Sequence, residues 1–171
     1  AFELCSSYNL AMKLYNRKIV VFDQTEYESK KASLTIKKNQ VDNWNIKKKM
    51  TRAYDGVQIS YTDSKKNKTL TYKYLIGAGK RILKLNQSAE SLQDAEIKAK
   101  AKLLENNRAC QTARIKLKGD TKFVASKCCN LEGFGKLDGK YYIDSVTHDK
   151  DPGSGYNCSL EMHLCVIIKG V

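Results

Sequence analysis

The sequence predicts a mainly β fold with two helices, an α+β class whose antiparallel sheets form small β-barrel-like domains. Several segments alternate apolar and polar residues with a period of two, which is typical of strands with one face in water. The predicted order is helix, several strands, helix, several strands, and such grouping favours antiparallel sheets over a parallel doubly wound sheet. With 42% hydrophobic residues in 171, the chain can also build a core.

The first predicted element is a helix, because Leu4, Tyr8, Ala11 and Tyr15 recur at steps of three and four. Asn16 is predicted to end it in a left-handed conformation. A short buried strand is then expected at Ile19–Phe22. Three strands that alternate apolar and polar residues are expected around Leu34 and Ile36, around Val57, Ile59 and Tyr61, and around Leu70, Tyr72 and Tyr74. A polar hairpin turn at 63–68 is expected to join the last two.

The second helix has the clearest local pattern. Ser91 is expected to cap its first turn, and Asp94 stands three residues later, as in a capping box. Two charge pairs at a spacing of four, Asp94 with Lys98 and Glu96 with Lys100, support it. The helix is predicted to end near Asn106 and Asn107, and its buried stripe is formed by Leu92, Ala95, Ala99 and Leu103.

Further strands are predicted after this helix, at Ala113–Leu117, Phe123–Val124, Cys128–Leu131, Tyr141–Thr147 and Ser159–Val166. Two domains are expected: residues 1–90, with the first helix and a β-rich unit, and residues 91–171, with the second helix and a β-barrel-like unit. The start of the chain, which lacks Met and falls inside the predicted helix, is expected to mark a fragment of a longer protein.

The charge permits a nucleic-acid partner without requiring one. Lys and Arg number 31 against 18 acidic residues, for a net charge of +13, but only five of the basic residues are Arg. Base reading and bidentate phosphate binding favour Arg, so charge alone is weak support. Tyr61, Tyr72, Tyr74 and Trp44 could form a stacking platform, although tyrosines alternating along strands more often stabilise sheets. No apolar run reaches the length of a membrane span.

Six cysteines and two histidines are the candidates for thiol or metal chemistry. Cys5, Cys110, Cys128, Cys129, Cys158 and Cys165 are expected to be reduced, because the chain can build a core without disulfides. A metal site at Cys158, His163 and Cys165, or a Cys–His nucleophile using His148 or His163, is conceivable. Their spacing matches no known zinc module, and structural roles are preferred. No metal, cofactor or catalytic residue is assigned.

The glycine clusters and the carboxylates give no stronger signal. The cluster at 133–139 leads into a predicted strand, and a phosphate loop would lead into a helix, so a hairpin is favoured. The Gly-Lys pair at 79–80 lacks the rest of a Walker motif and is interpreted as a loop. A pair of carboxylates for hydrolysis could come from Asp138, Asp144, Asp149, Asp151 and Glu161, but their spacing selects no pair.

The order of features nevertheless resembles a known family. It includes Asn86–Glu96 leading into the second helix, a strand ending at Leu117–Asp120, the run Gly133–Ile143, Ser145–His148, and Gly155–Met162, with Tyr54–Asp63 before them. This order is similar to the C-terminal part of the late control protein D family, the tail hub proteins of phages and prophages. The nearest variant is that of Gram-positive prophages and contractile bacteriocins. The four cysteines from Cys128 to Cys165 depart from the family pattern.

The resemblance implies β-barrel domains around a central axis, usually in a homotrimer that joins the tail tube to the central spike. The expected function is that of a structural adaptor in the baseplate hub, without enzymatic activity. Its partners would be tail tube, spike and tape-measure proteins, with no nucleic acid and no membrane. Its location would be the virion tail, and the host cytoplasm during assembly. The alternatives are a peptidoglycan-degrading tail domain and a basic nucleic-acid-binding module.

Overall fold

The computed structural model describes residues 2–63 and 68–166. The described residues form two compact units that are interleaved along the chain. Of the described residues, the first unit contains 2–24, 52–63 and 68–107, and the second contains 25–51 and 108–166. The predicted division into two domains, 1–90 and 91–171, stays a prediction.

The secondary structure confirms a mainly β, α+β fold and adds a third helix to the two predicted. The helices among the described residues are α1 (Phe2–Ser7), α2 (Gln24–Ser29) and α3 (Leu92–Arg108). The strands are β1 (Leu10–Tyr15), β2 (Lys18–Asp23), β3 (Leu34–Lys37), β4 (Val41–Lys48), β5 (Gly56–Asp63), β6 (Lys68–Leu75), β7 (Ile82–Leu85), β8 (Gln111–Lys118), β9 (Cys128–Glu132), β10 (Gly139–Asp151) and β11 (Gly155–Leu164).

The first unit begins differently from the prediction. The expected helix ends at Ser7, where Asn9 takes a positive φ of 59° and the chain turns into β1. Strands β1 and β2 form an antiparallel hairpin, and Asn16 and Arg17 form its tight turn with φ of 47° and 61°. Asn16 is therefore left-handed as expected, but it closes a hairpin and does not end a helix. The run Ile19–Phe22 is a strand, but it is not buried.

The rest of the first unit packs α3 against a three-stranded sheet of order β6-β5-β7. Strands β5 and β6 pair antiparallel, as the alternation predicted, and β5 and β7 pair parallel. The predicted turn at 63–68 lies largely outside the described residues. Apolar side chains from the sheet and from one stripe of α3 form the core, which includes Val57, Ile59, Tyr61, Leu85, Ala95, Ala99 and Leu103.

The start of α3 follows the predicted capping closely. The hydroxyl of Ser91 accepts a hydrogen bond from the backbone N–H of Asp94 at 3.1 Å. The Asp94 carboxylate in turn accepts one from the backbone N–H of Glu90, and it pairs with Lys98 at 2.8 Å. Leu92 was predicted in the buried stripe, but the prediction is wrong for this residue, which is 55% exposed.

The second unit is a six-stranded sheet that curls into a half barrel. Its strand order is β3-β9-β10-β11-β8-β4; all pairs are antiparallel except β3 with β9. Along β8, buried and exposed residues alternate without a break, as the sequence predicted. The main core lies on one face of the sheet and includes Ile36, Ile115, Leu131, Tyr141, Ile143, Leu160 and Met162.

Some elements of the second unit were not predicted or were predicted wrongly. Phe123 and Val124 do not form a strand, because Asp120 accepts hydrogen bonds from the backbone N–H groups of Lys122 and Phe123 and holds a turn. The edge strand β4 lacks a strict alternation of apolar residues, and α2 is too short for a helical period to show. No helix among the described residues is long and apolar enough to cross a membrane.

Candidate functional site

The three residues of the conceivable metal site are not brought together. Cys158 contacts His148, His163 contacts two carboxylates, and Cys165 contacts Cys128. Within residues 2–63 and 68–166, no group of three His, Cys, Asp or Glu side chains is arranged to hold a metal ion. Each candidate side chain is therefore better understood from its own partners.

A buried cluster of charges lies against α2 in the second unit. Glu28 is only 3% exposed, and its Oε1 atom accepts hydrogen bonds from His163 Nε2 at 3.0 Å and from Arg108 Nε. The other ring nitrogen of His163 lies 2.9 Å from both carboxylate oxygens of Asp144. Lys140 also donates to the Glu28 carbonyl at 2.6 Å. Because both nitrogens of His163 face carboxylates, the geometry favours the doubly protonated imidazolium.

A β-bulge supplies Asp144 to this cluster. The register of β10 on β11 shifts between Ile143 and Ser145, so Asp144 is the extra residue of β10. Such a residue is released from the strict alternation of a strand, and its side chain can turn toward a neighbour that the regular register would not reach. Here the neighbour is His163, which is paired with Tyr142 in the ladder. The bulge was not predicted from the pattern of residues in this segment.

The cluster shifts the pKa values of its members. Burial alone raises the Glu28 pKa, but the hydrogen bond from His163 and the charge of Arg108 outweigh burial and lower it. Burial alone lowers the His163 pKa, but the bonds to Asp144 and Glu28 raise it above its usual value. Both directions favour the charged forms, so the cluster is a network of paired ions. Glu28 belongs to α2 and His163 belongs to β11, so the cluster has a structural role in holding that helix on the sheet.

Two thiols lie beside the charge cluster. Cys128 Sγ is 3.9 Å from Cys165 Sγ, and the Cys128 thiol is also 3.3 Å from the carbonyl oxygen of Tyr27. Hydrogen bonding to Cys165 lowers the pKa of Cys128 to about 7, and the nearby Lys140 charge acts in the same direction. The same contact raises the pKa of Cys165. Both side chains are buried, as predicted for core cysteines, and their reduced state stays a prediction.

The structure also brings together a Cys–His pair that the sequence left open. His148 Nε2 donates to the Phe123 carbonyl at 3.1 Å, so in the neutral ring Nδ1 is the acceptor. That atom lies 2.8 Å from the Tyr156 hydroxyl and 3.1 Å from Cys158 Sγ. The Cys158 side chain is fully buried, and a nucleophile must reach its substrate. The contact is therefore a cross-strand packing interaction between β10 and β11.

The glycine loops and carboxylates have structural partners. The loop at 133–139 connects β9 to β10, as the hairpin interpretation predicted, and the Asp138 carboxylate accepts hydrogen bonds from the backbone of Gly133 and Phe134. The loop at 76–81 connects β6 to β7. Asp151 accepts a bond from Gly153, and Glu161 pairs with Arg114. Asp144 belongs to the charge cluster, and the described contacts bring no two of these carboxylates together.

The aromatic candidates take part in packing. Tyr61 is buried in the core of the first unit, and Tyr72 and Tyr74 pack against that core half-buried. Trp44 in the second unit is 40% exposed, but its ring meets Phe134 edge-on at 5.5 Å. Contacts within each unit therefore account for the three tyrosines of the first unit and for Trp44 of the second.

The most conspicuous exposed feature is the β1–β2 hairpin, which we call the apolar hairpin face. Its side chains Leu10, Met12, Leu14, Ile19 and Val21 lie on one side, since they alternate along two paired strands. Leu14 is 76% exposed and Ile19 is 69% exposed. Exposed apolar patches mark interaction surfaces. This surface was not predicted, because its residues were assigned to a helix and to a buried strand. The pair Asn16-Arg17 between two apolar-rich segments is the signal that indicates a hairpin.

Solved structures share this fold. A tail protein from Neisseria meningitidis MC58 matches with a TM-score of 0.66 and 13% identity, over 94% of this chain and 52% of that one. The 43 kDa tail protein of prophage MuSo2 from Shewanella oneidensis gives 0.67 and 13%, over 94% and 51%. Prophage tail protein gp18 from Listeria monocytogenes EGD-e gives 0.64 and 11%, over 98% and 52%.

These matches establish that the chain has the fold found in phage and prophage tail proteins. The chain spans about half the length of each of the three structures. No curated protein matches the sequence. The family model described as the Alg8 N-terminal domain matches residues 13–151, which is most of the chain, and the chain therefore belongs to this family.

Proposed function

We propose that this chain is a structural component of a phage or prophage tail and forms part of the baseplate hub, as an adaptor between the tail tube and the central spike. The observation that carries the proposal is the fold match to three tail proteins over 94–98% of the chain. The resemblance of the order of features in residues 54–162 to the late control protein D family supports the hub assignment. Fold alone does not fix function, so the site must agree.

The arrangement of side chains supports a role in assembly over one in catalysis. Cys128 and Cys165 form a buried pair, Asp144 contacts His163 and Cys158 contacts His148. Asp138 and Asp151 hold turns, and Glu161 pairs with Arg114. The large exposed feature is the apolar hairpin face, which is suited to contact with another protein. We include in the proposal a homotrimeric state in the full particle, contacts with tail tube and spike proteins, and assembly in the host cytoplasm before incorporation into a contractile tail.

The test is to locate the chain in particles. Tails are purified from induced cells that carry the gene, and cross-linking mass spectrometry identifies the neighbours of this chain. We expect cross-links to tail tube and spike proteins, and particles without a hub when the gene is deleted. Complete, sedimenting tails made without the gene, or tails that lack the chain, would contradict the proposal. Peptidoglycan hydrolysis by the purified protein would favour the enzymatic alternative instead.

A further inference from the structure

Cys128 and Cys165 face each other inside the second unit, and we call them the thiol pair. Their Sγ atoms are 3.9 Å apart, and the two residues are 3% and 8% exposed. They pack around Tyr142 of β10, with Tyr27 and Ala32 beside them. An S–S bond is about 2.05 Å long, so the two sulfur atoms are not bonded but need only a small movement to become so.

The backbone holds both members of the thiol pair beside β10. Cys128 is the first residue of β9 and is paired with Tyr142. Cys165 follows the last residue of β11, and its N–H donates to the carbonyl of Lys140 at 2.9 Å. The ladder of β11 on β10 ends at Leu164, so Cys165 can adjust more readily than a residue inside the strand. A bond between the two cysteines would tie β9 to the end of β11 across β10.

The surroundings make Cys128 the more reactive member. The hydrogen bond from Cys165 lowers the pKa of Cys128 to about 7, and the charges of Lys140 and His163 act in the same direction, against burial and the Glu28 carboxylate. The pKa of Cys165 is raised by the same contact, so Cys165 keeps its proton. Because the thiolate is the reactive form of a cysteine, Cys128 is the attacking sulfur and Cys165 the second one.

We propose that the thiol pair is a redox site, which closes into an intramolecular disulfide when a small peroxide oxidises it. This inference goes beyond the proposed function and does not depend on it. Hydrogen peroxide is small and uncharged, which suits a pair with so little exposed surface. In the closed form, the bond would join two residues that are 37 positions apart in the chain.

The reaction has two steps. The Cys128 thiolate attacks one oxygen of hydrogen peroxide, the O–O bond breaks, and a sulfenic acid forms while the departing hydroxide takes up the proton that Cys128 released. The Cys165 sulfur then attacks the Cys128 sulfur, the S–O bond breaks and the S–S bond forms, and the hydroxyl leaves as water with the Cys165 proton. The two thiols lose two electrons, which reduce one peroxide to two waters.

The other two buried cysteines have different surroundings. Cys129 points to the opposite face of β9, where its Sγ is 3.8 Å from the Met162 sulfur and burial raises its pKa to about 12. Cys158 Sγ is 3.1 Å from His148 Nδ1. Neither contact brings a second thiol within reach, so we expect both residues to stay reduced when the thiol pair closes.

The test counts thiols in the full chain with Cys5→Ala and Cys110→Ala, because these two half-buried cysteines could link separate copies. Four cysteines remain, and the chain is treated with an equimolar amount of hydrogen peroxide. We expect two of the four thiols to be lost and dithiothreitol to restore them. The midpoint of thermal unfolding should rise by about 5–10 °C in the oxidised chain, since the bond constrains the unfolded state.

Mass spectrometry identifies the bond. Trypsin should release peptides 128–136 and 151–169 as one linked product, and each of them contains two cysteines. Fragment spectra should place the bond between Cys128 and Cys165. The variant Cys165→Ala should abolish the link and leave a sulfenic acid at Cys128 that dimedone traps. Cys129→Ala is the matched control, because it changes the neighbouring residue on the opposite face and should leave the link intact.

Several results would overturn the proposal. They are an unchanged thiol count, thiol loss without linked peptides, and a bond that uses Cys129 or Cys158. Linkage that is equally fast and selective in concentrated urea would show that the fold does not bring the thiol pair together. If the chain is found in tails but its thiols do not close, the proposed function stands and only the redox site is wrong.

Discussion

The Glu28 carboxylate is stabilised by two neighbours at once, His163 and Arg108. An unpaired carboxylate at 3% exposure would carry a large desolvation cost, so its charge depends on His163 and Arg108. Removing Glu28 would also leave those two cations without this partner. We therefore expect substitutions in this cluster to lower the free energy of unfolding by more than the number of lost hydrogen bonds suggests.

The protonation of His163 is a direct test of this cluster. We expect an NMR titration of the His163 ring signals to give a midpoint above its usual 6.5, because both ring nitrogens face carboxylates. Glu28→Gln should lower that midpoint. A His163 midpoint at or below 6.5 in the unsubstituted chain would show that burial outweighs the two carboxylates.

The sign of the stability effect follows from these shifts. The folded pKa of His163 lies above its unfolded value, so its contribution is full below pH 6.5 and is lost as pH rises through the folded pKa. The pKa of Glu28 is lowered, so its contribution is present above 4.5 and is lost as pH falls through the folded pKa. Urea titrations should use a Cys128→Ser background, since the Cys128 thiol titrates near pH 7 with the opposite sign to His163.

At the scale of elements, α3 shows how far local sequence can determine structure. At its first turn, the backbone N–H groups of Asp94 and Glu90 find acceptors within the segment itself, in the Ser91 hydroxyl and the Asp94 carboxylate. The apolar stripe then has a single sheet to pack against. Local and tertiary preferences agree at this helix, which is why its start and end were predicted almost to the residue.

The cap of α3 can be tested by a single substitution. We expect Ser91→Ala to lower the free energy of unfolding by about 1 kcal/mol, because the N–H of Asp94 loses its acceptor. Ser88→Ala is the control, since Ser88 is exposed, precedes the helix and contributes its backbone carbonyl to Lys98. Equal urea midpoints for Ser91→Ala and the unsubstituted chain would show that the cap is not needed.

The first elements show where local pattern fails. Leu4, Tyr8 and Ala11 have helical spacing, but Leu4 lies in α1, Tyr8 follows that helix and Ala11 lies in β1. Asn9 and Asn16 both take positive φ, and either position could have ended a helix or begun a hairpin. The antiparallel pairing of β1 with β2 selects the hairpin. The spacing of apolar residues within β1 does not predict this pairing. The Asp144 bulge and the partners of Glu28 were out of reach for the same reason.

At the scale of the whole molecule, the strand alternation predicted the fold class, while the net charge did not indicate a function. The alternation works because each sheet buries one face, so the period of two survives in β5, β6 and β8. The basic residues by contrast are spread over both units, and several of them serve in local pairs such as Lys98 with Asp94 and Lys100 with Glu96. The apolar hairpin face is recognised by the exposure of its apolar side chains, and the net charge gives no indication of it.

The pairing of β4 with β8 has a consequence for how the chain could be divided. The chain leaves the six-stranded sheet after Lys48 and returns at Gln111, and these two residues are register partners. The backbone N–H of Lys49 even donates to the carbonyl of Cys110. Residues 52–107 are thus an insertion whose two ends meet, and the surrounding strands need only a tight turn to close.

A shortened chain tests this idea. Residues 25–49 joined to 108–166 through an Asn-Gly pair keep Arg108 as the partner of Glu28, and this chain should fold into the six-stranded sheet with cooperative thermal unfolding and dispersed NMR signals. Replacement of buried Ile143 with Asp in the same chain is the control, and it should abolish that dispersion. A shortened chain that remains unfolded would show that the sheet depends on the inserted segment. If it folds, the insertion point is a natural place to graft a different module onto the same sheet.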